Sequence, residues 1–347
     1  MSIIAQRTVH EGGAALRLPP RVAALIFVRE QGLLVLWLLL IVIFAITGAP
    51  HFFTLGTGVN VLNAAAITSI FAAGLGIGVM TGVLDLSVPG TAAVVGVSVA
   101  LLIKAGAPVW LALVVGLVIG AVVGVVNGLI AIRGFDPLIV TIGMLSVLSG
   151  TALLLAGGYD ITGMTSLAFL GTERYLEIPA PVYISVVLFV VLTVMLKFTR
   201  VGTRLLAVGG NAEGARRVGI RTEFYRVLGF VISAVCAAIG GIVNTAYISI
   251  AQPAASTGVI FTALTAVALA GVPFVGGRGS LPKVFLGTVV LATISAGLLI
   301  SGVPTFWATI ATGVLLIGAL ALNKGTGESI SRLLLSNGGM AGKRRPS

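Results

Sequence analysis

The chain has 347 residues, of which 58% are hydrophobic and only 9% are charged, with a mean hydropathy of +1.16. A water-soluble domain carries about a quarter charged residues, so a soluble globule is excluded and lipid is the solvent that fits. The net charge of +11 matches cytoplasmic loops that collect Lys and Arg, and it does not call for a nucleic-acid partner.

Residues 1–31 hold Arg7, Arg17, Arg21 and Arg29 and read as a cytoplasmic tail. The apolar run that follows has no small-residue cleavage site, so it reads as a membrane helix and not as a signal peptide. A crossing helix needs about 20 apolar residues. On that measure the segments 32–46, 59–80, 88–103, 109–132 and 138–156 are spans, as are 180–198, 227–248, 258–275, 284–301 and 305–322. The expectation is an all-α polytopic protein of about ten transmembrane helices over 32–322, with a second tail at 323–347.

An even number of spans starting inside places both termini in the cytoplasm. Of the 21 basic residues, only Lys104 and Arg174 then fall outside. Orientation follows Lys and Arg in short loops. Removing one span would put either the arginine-rich loop after Phe198 or the Lys343-Arg344-Arg345 tail on the wrong face. The outward loop 157–179 carries Asp160, Glu173 and Glu177, and the cytoplasmic loop 199–226 carries six arginines.

Two interruptions stand out. One is 81–90, with Asp85, Ser87 and Pro89; the other is 276–282, with Gly276, Gly277, Gly279 and Pro282. Each precedes a helix rich in small residues. Paired breaks in corresponding places predict two pseudo-repeated halves around a pathway. The 47 glycines suit close helix packing in lipid.

No G-x-x-x-x-G-K-[ST] phosphate loop is present, so ATP is not expected on this chain. His10 and His51 are isolated, and Cys236 is a lone core residue with no partner for a disulfide. Neither a metal cluster nor a nucleophile–base pair is visible, so the chain reads as neither an enzyme nor a cofactor binder. Asp85 has two readings. It lines a pathway or fixes the broken helix by accepting backbone N–H groups, or it caps the next helix at the cytoplasmic surface. Ser87, Asn63, Asn127 and Asn244 are pathway candidates, and the three amides serve equally as interhelical glue. Neutral polar groups suit a neutral polyol better than an ion.

The loop 199–226 contains a helix signal. Asn211 is an N-cap, Glu213 lies in the first turn where its charge suits the dipole, and Gly219 is a terminating C′ residue. Ala215 and Val218, three apart, are placed to share an apolar face. A helix of about two turns with an apolar face fits a docking surface for a cytoplasmic partner better than a merely solvated positive-inside loop.

These residues carry a resemblance. Glu213-Gly214-Ala215 followed by Gly219 resembles the E-A-A-x-x-x-G loop of ABC importer permeases, with Gly214 in place of the first Ala. The run from Gly209 to Ile220 resembles the ribose, xylose and galactose branch, which also contains autoinducer and other monosaccharide permeases. Leu84-Asp85-Leu86-Ser87-Val88 resembles that family's D-L-S-V-G motif, with Pro89 where the motif has Gly. Asn127-Gly128, followed by Pro137-Leu138-Ile139-Val140-Thr141-Ile142-Gly143-Met144, resembles its N-G and P-F-I-V-T-L-G-M strings. Gly276-Gly277-Arg278-Gly279-Ser280 resembles G-G-x-G-S/R. The motifs occur in order across nearly the whole chain.

The resemblance implies a permease subunit of a bacterial inner-membrane ABC importer for a monosaccharide or related small polar solute. It implies a second permease, identical or different, a cytoplasmic ATPase that binds the ATP, and a periplasmic sugar-binding protein. Gly209, Gly210, Asn211, Glu213, Ala215, Arg216, Gly219 and Ile220 would then form the ATPase-coupling loop. The competing reading is an ion-coupled secondary transporter of small polar solutes. That reading needs a buried acid, for which Asp85 is the candidate, and needs no coupling helix.

Overall fold

The computed structural model describes residues 20–48 and 51–321, with side chains from residue 31 onward. Residues 1–19, 49–50 and 322–347, including His10, much of the first tail and all of the second, lie outside the described residues. The architecture is α-helical, with four two-residue strands. Helix α1 runs Pro20–Thr47, α2 Leu55–Met80, α3 Val88–Lys104, α4 Val109–Ala131 and α5 Pro137–Ala156. A short α6, Ala168–Gly171, lies in the loop before α7, Ala180–Phe198. Then come α8, Arg200–Gly210, α9, Ala212–Arg217, α10, Thr222–Ile248, α11, Thr257–Leu269, and α12, Leu281–Ile300. The last apolar helix, α13, is Phe306–Ala321.

Among the described residues six helices are long and apolar enough to cross a membrane: α2, α4, α5, α7, α10 and α12. Four shorter apolar stretches, Gln31–Thr47, Val88–Lys104, Thr257–Leu269 and Phe306–Ala321, fall on the remaining segments read from hydropathy. The largest departures from the expected spans are at α1, α11 and α8. Helix α1 starts inside the supposed tail, at Pro20, because Pro suits a first helical turn and nothing breaks the run before Gly48. Helix α11 stops at Leu269 and does not continue to residue 275. Gly271 there has φ 73°, its N–H donates to Ala268 O at 2.9 Å, and Pro273 prevents continuation. Helix α8 occupies residues expected as loop.

Helices α2 and α10 form the centre. Helix α10 packs against α4, α2 and α3, and α2 also packs against α12, α11 and α7. Glycines let α4 approach so closely. A Cβ placed at Gly120 would lie 2.9 Å from Ala234 O, and one at Gly124 would lie 2.6 Å from the Val231 Cα. Where lipid removes the hydrophobic drive between helices, such backbone proximity supplies the dispersion contact that holds them. By contrast, α4, α5 and α7 leave outward rows of large apolar side chains exposed, including Trp110, Val118, Ile139, Val147, Leu154 and Val187. These rows match a hydrocarbon or partner-helix environment.

At one end, the segment after α5 folds over the bundle. Strand β1, Ile161–Thr162, pairs antiparallel with β4, Ile250–Ala251, and β2, Arg174–Tyr175, pairs with β3, Ile178–Pro179. Leu176 and Glu177 make the β2–β3 turn with φ 51° and 64°. The Tyr175 hydroxyl donates to Glu173 at 2.9 Å, which pushes the phenol pKa up by favouring its protonated form. Helix α10 has 27 residues and spans about 40 Å, so β4 and the α8–α9 segment lie at opposite ends of the molecule.

Candidate functional site

The loop between α7 and α10 is helical along most of its length. Thr199 caps α8, its hydroxyl accepting from Gly202 N at 3.2 Å. Gly202, Leu205 and Val208 face inward, and Arg204 donates to the Tyr225 hydroxyl at 3.1 Å. After Gly209-Gly210 the chain turns at Asn211, whose side-chain oxygen accepts from Gly214 N at 2.8 Å and starts α9. Glu213 lies in the first turn and pairs with Arg217 on the exposed surface. Arg216 is also exposed.

Helix α9 ends in a Schellman motif: Gly219 has φ 80°, Gly219 N donates to Arg216 O and Ile220 N to Ala215 O, both at 3.0 Å. Only glycine adopts that φ without strain. Ala215 and Ile220 pack onto the core. The expected pairing of Ala215 with Val218 on one apolar face does not occur. Val218 follows the last helical residue and points outward, 75% exposed, while Ala215 is 5% exposed.

The two helix interruptions meet this loop. The N–H of Gly277 donates to Met80 O at 2.8 Å. A Cβ at Gly209 would strike Met80 O, and one at Gly277 would strike the Gly210 Cα. A Cβ at Gly276 would lie 2.8 Å from Gly209 O and 3.0 Å from Gly82 N. Gly82, Gly276 and Gly277 all have positive φ. The α2–α3 connection, the α11–α12 connection and the end of α8 therefore touch backbone to backbone, in a glycine junction that joins the loop to the two interruptions paired in the sequence.

Just beyond the junction lies a buried polar network. Asp85 is 1% exposed. Its Oδ1 accepts from Ser87 N at 3.0 Å and from the Ser87 hydroxyl at 2.6 Å. The Ser87 Oγ in turn accepts from Asn127 Nδ2 at 2.9 Å, which ties α3 to α4. The Ser233 hydroxyl of α10 faces the same carboxyl, outside hydrogen-bonding geometry. Asp85 Oδ2 and Asn127 Oδ1 find no hydrogen-bond partner among the described residues. Asp85 thus fixes the α2–α3 break from inside the bundle, and the surface-cap geometry is not what is seen. Pro89 lies in the first turn of α3, where the missing N–H costs nothing.

Asn63 lies apart on α2, buried, with its Oδ1 unbonded. Asn244 lies at the other end, in a cleft between α2, α3, α10 and the segment that leads into α11. The cleft encloses a cavity of about 50 Å³. Phe71, Pro89, Asn244, Thr245, Gln252 and Ser256 are among its lining residues. The sequence reading missed Phe71, Gln252 and Ser256. Gln252-Pro253, a polar residue and a helix breaker just after a span, was the available signal. No group of three or more His, Cys, Asp or Glu residues able to hold a metal occurs among the described residues.

Known proteins match this sequence. The family described as branched-chain amino acid transport system / permease component matches residues 58–320. The ribose import permease protein of Escherichia coli (strain K12) is 31% identical over 308 residues, 85% of this chain and 93% of that protein. The ribose import permease protein of Bacillus subtilis (strain 168) is 35% identical over 269 residues, 76% of this chain and 84% of its own length. The L-arabinose transport system permease protein of E. coli (strain K12) is 30% identical over 298 residues, 85% and 90% of the two chains. The chain is a multi-pass inner-membrane protein, and it belongs to the family of ABC-importer permeases that includes these sugar permeases.

Proposed function

We propose that this chain is the membrane passage of an ATP-driven importer for a monosaccharide or a related small polar solute. In this reading residues 32–322 form one membrane unit that crosses ten times in two pseudo-repeated halves, and the tails 1–31 and 323–347 lie in the cytoplasm. Support for the halves comes from the two interruptions, which end at the same glycine junction. ATP binds to a partner ATPase, a periplasmic sugar-binding protein delivers the solute, and a second permease, identical or different, completes the passage. The exposed apolar rows on α4, α5 and α7 offer surface for that partner and for lipid.

One observation carries the assignment of the coupling loop. Helix α9 is capped at both ends, turns Glu213, Arg216 and Val218 outward, and joins through Gly209-Gly210 to both helix interruptions. Asn211 and Gly219 shape the helix, Ala215 and Ile220 anchor it, and Glu213 and Arg216 meet the ATPase. Closure of the ATPase then moves the α2–α3 connection directly. Asp85, Ser87 and Asn127 hold that connection to α4, and Asn63 and Asn244 belong to the path. A secondary transporter needs no such loop.

The test is purification of the chain from cells that also express the neighbouring ATPase and binding protein. The ATPase is expected to copurify and to drive uptake of ribose, allose or arabinose into proteoliposomes. Uptake driven by an ion gradient without ATP contradicts the reading. Topology is checked in a Cys236→Ala background. Leu176→Cys, at the 91% exposed tip of the β2–β3 turn, should react with a membrane-impermeant thiol reagent added outside sealed cells, and Val218→Cys should not. The reverse pattern contradicts cytoplasmic placement of the loop.

A further inference from the structure

We propose that the groove between α7 and α12 holds an anionic phospholipid, with an acyl chain in the groove and the headgroup at Lys197 and Lys283. Its assignment to the cytoplasmic leaflet rests on the placement of the α8–α9 end in the reading above. The groove encloses about 350 Å³ and is lined by α7 from Val186 to Val194 and by Pro282 and Phe285 of α12. The rings of Phe189 and Phe285 meet edge to face, with centroids 5.3 Å apart, and close its inner side. Val186, Val190 and Val194, one turn apart, leave its outer side open. The α7 wall runs about 12 Å along the helix, and Thr193 is the one polar side chain in the lining. A long apolar slot of this kind fits a hydrocarbon chain.

Charge selects the class of lipid. Lys197 and Lys283 are the only charged residues of α7 and α12, and both lie at the α8–α9 end. Lys197 follows Thr193 and Val194 at helical spacing, so it continues the groove-lining face of α7. Lys283 directly follows Pro282 in the first turn of α12, where the helix dipole disfavours a cation. Neither ammonium group bonds to another group among the described residues. Each lysine can lay its alkyl stem along the apolar wall and reach the headgroup level with its charge. Two unpaired cations at the mouth of an apolar slot between membrane helices match an anionic headgroup.

The same charges disfavour a second copy of this chain as the occupant. Two copies in one membrane share an orientation, so a two-fold axis along the membrane normal sets equal depths opposite one another. Seated on this groove, the partner would bring its own two lysines against these, with no carboxylate on either helix to offset them. A lipid phosphate neutralises them instead. The site adjoins the glycine junction, because the Gly276-Gly277 turn that meets α8 leads directly into α12. Lipid held between α7 and α12 therefore braces the helix that enters from that junction.

The experiment uses the full chain purified in neutral detergent, without ATP or sugar. It is offered phosphatidylglycerol or phosphatidylethanolamine with the same acyl chains. Native mass spectrometry reads the lipid retained, and the thermal midpoint reads its effect on the fold. The wild type should retain phosphatidylglycerol in preference and gain thermal midpoint from it. Lys197→Gln with Lys283→Gln should elute as a single species and bind phosphatidylglycerol roughly tenfold more weakly. Val190→Trp fills the groove and keeps both lysines. It should lose the lipid as well, which attraction to surface charge alone would not produce. Equal retention of the two lipids by the wild type, or full retention of phosphatidylglycerol by either variant, overturns the site. A disulfide-linked pair of permeases formed by Val190→Cys in a Cys236→Ala background also overturns it, since a second copy would then occupy the groove. None of these readings involves transport, so each leaves the importer reading standing. A wrong leaflet would show in the Val218→Cys labelling instead.

Discussion

The two ends of this molecule handle polar groups in opposite ways. At the α8–α9 end, three connections touch through bare backbone, and six glycines (Gly82, Gly209, Gly210, Gly276, Gly277 and Gly279) leave almost no side chain between them. At the β1–β4 end, a cleft is lined by free amides and hydroxyls on partly non-helical chain. Backbone contact is stiff and transmits displacement, because close-packed atoms cannot yield. Side-chain contact is adjustable and can exchange one hydrogen-bond partner for another. The proposed importer would take force at one end and handle solute at the other, and this division suits it.

The contrast is broken most severely at the junction. Gly209→Ala places a methyl group against Met80 O, and Gly277→Ala adds a Cβ at φ 82° as well as a collision with Gly210. The left-handed conformation alone costs roughly 1–2 kcal/mol for a residue with a Cβ. Each variant should lose all measurable uptake and lower the thermal midpoint in detergent, read by fluorescence-detected size-exclusion after heating. Normal uptake by Gly277→Ala would remove the junction from the account.

Asp85 comes next. Asp85→Ala leaves the Ser87 N–H and hydroxyl without their acceptor, at about 1–3 kcal/mol for each buried group. Asp85→Asn keeps an acceptor oxygen. Uptake at equal expression should therefore fall in the order wild type, Asn, Ala, and equal uptake by all three would reduce the network to a passive packing feature. The smallest effect is expected at Arg217→Ala. The Glu213–Arg217 pair is exposed, with 76% and 77% of the side chains accessible, and such pairs contribute less than about 0.5 kcal/mol. The thermal midpoint should be unchanged within error, in contrast to the glycine variants a few residues away.

Much of this could be read from the chain before any coordinates. Hydropathy located the helices because a lipid-facing segment must be apolar along its whole length. The caps of α9 were legible at Asn211 and Gly219, since capping is a local exchange between neighbouring residues. What failed to appear were features assembled from distant parts. Helix α8 is amphipathic and polar, so no apolar run announced it. The convergence of Gly82, Gly209 and Gly277 depends on how α2, α8 and α12 pack, and no local pattern encodes that. The side from which Val218 faces out depended on α9 ending at Arg217, one residue short of including it. Gln252 and Ser256 lie in a stretch whose role comes only from the walls that α2, α3 and α10 place opposite it.

The central claim of the proposed function is that α9 is where an ATPase grips this chain. The double variant Glu213→Ala with Gly219→Val removes the exposed carboxylate and the residue whose φ of 80° ends the helix. The membrane helices do not depend on this loop for their burial in lipid, so the protein should insert and elute as a single species. The measurement is the amount of ATPase retained on the purified permease, read together with ATP-driven sugar uptake. The account predicts loss of retained ATPase and no uptake, with sugar binding by the separate binding protein unchanged. A variant that keeps its full complement of ATPase and transports at the wild-type rate would contradict it.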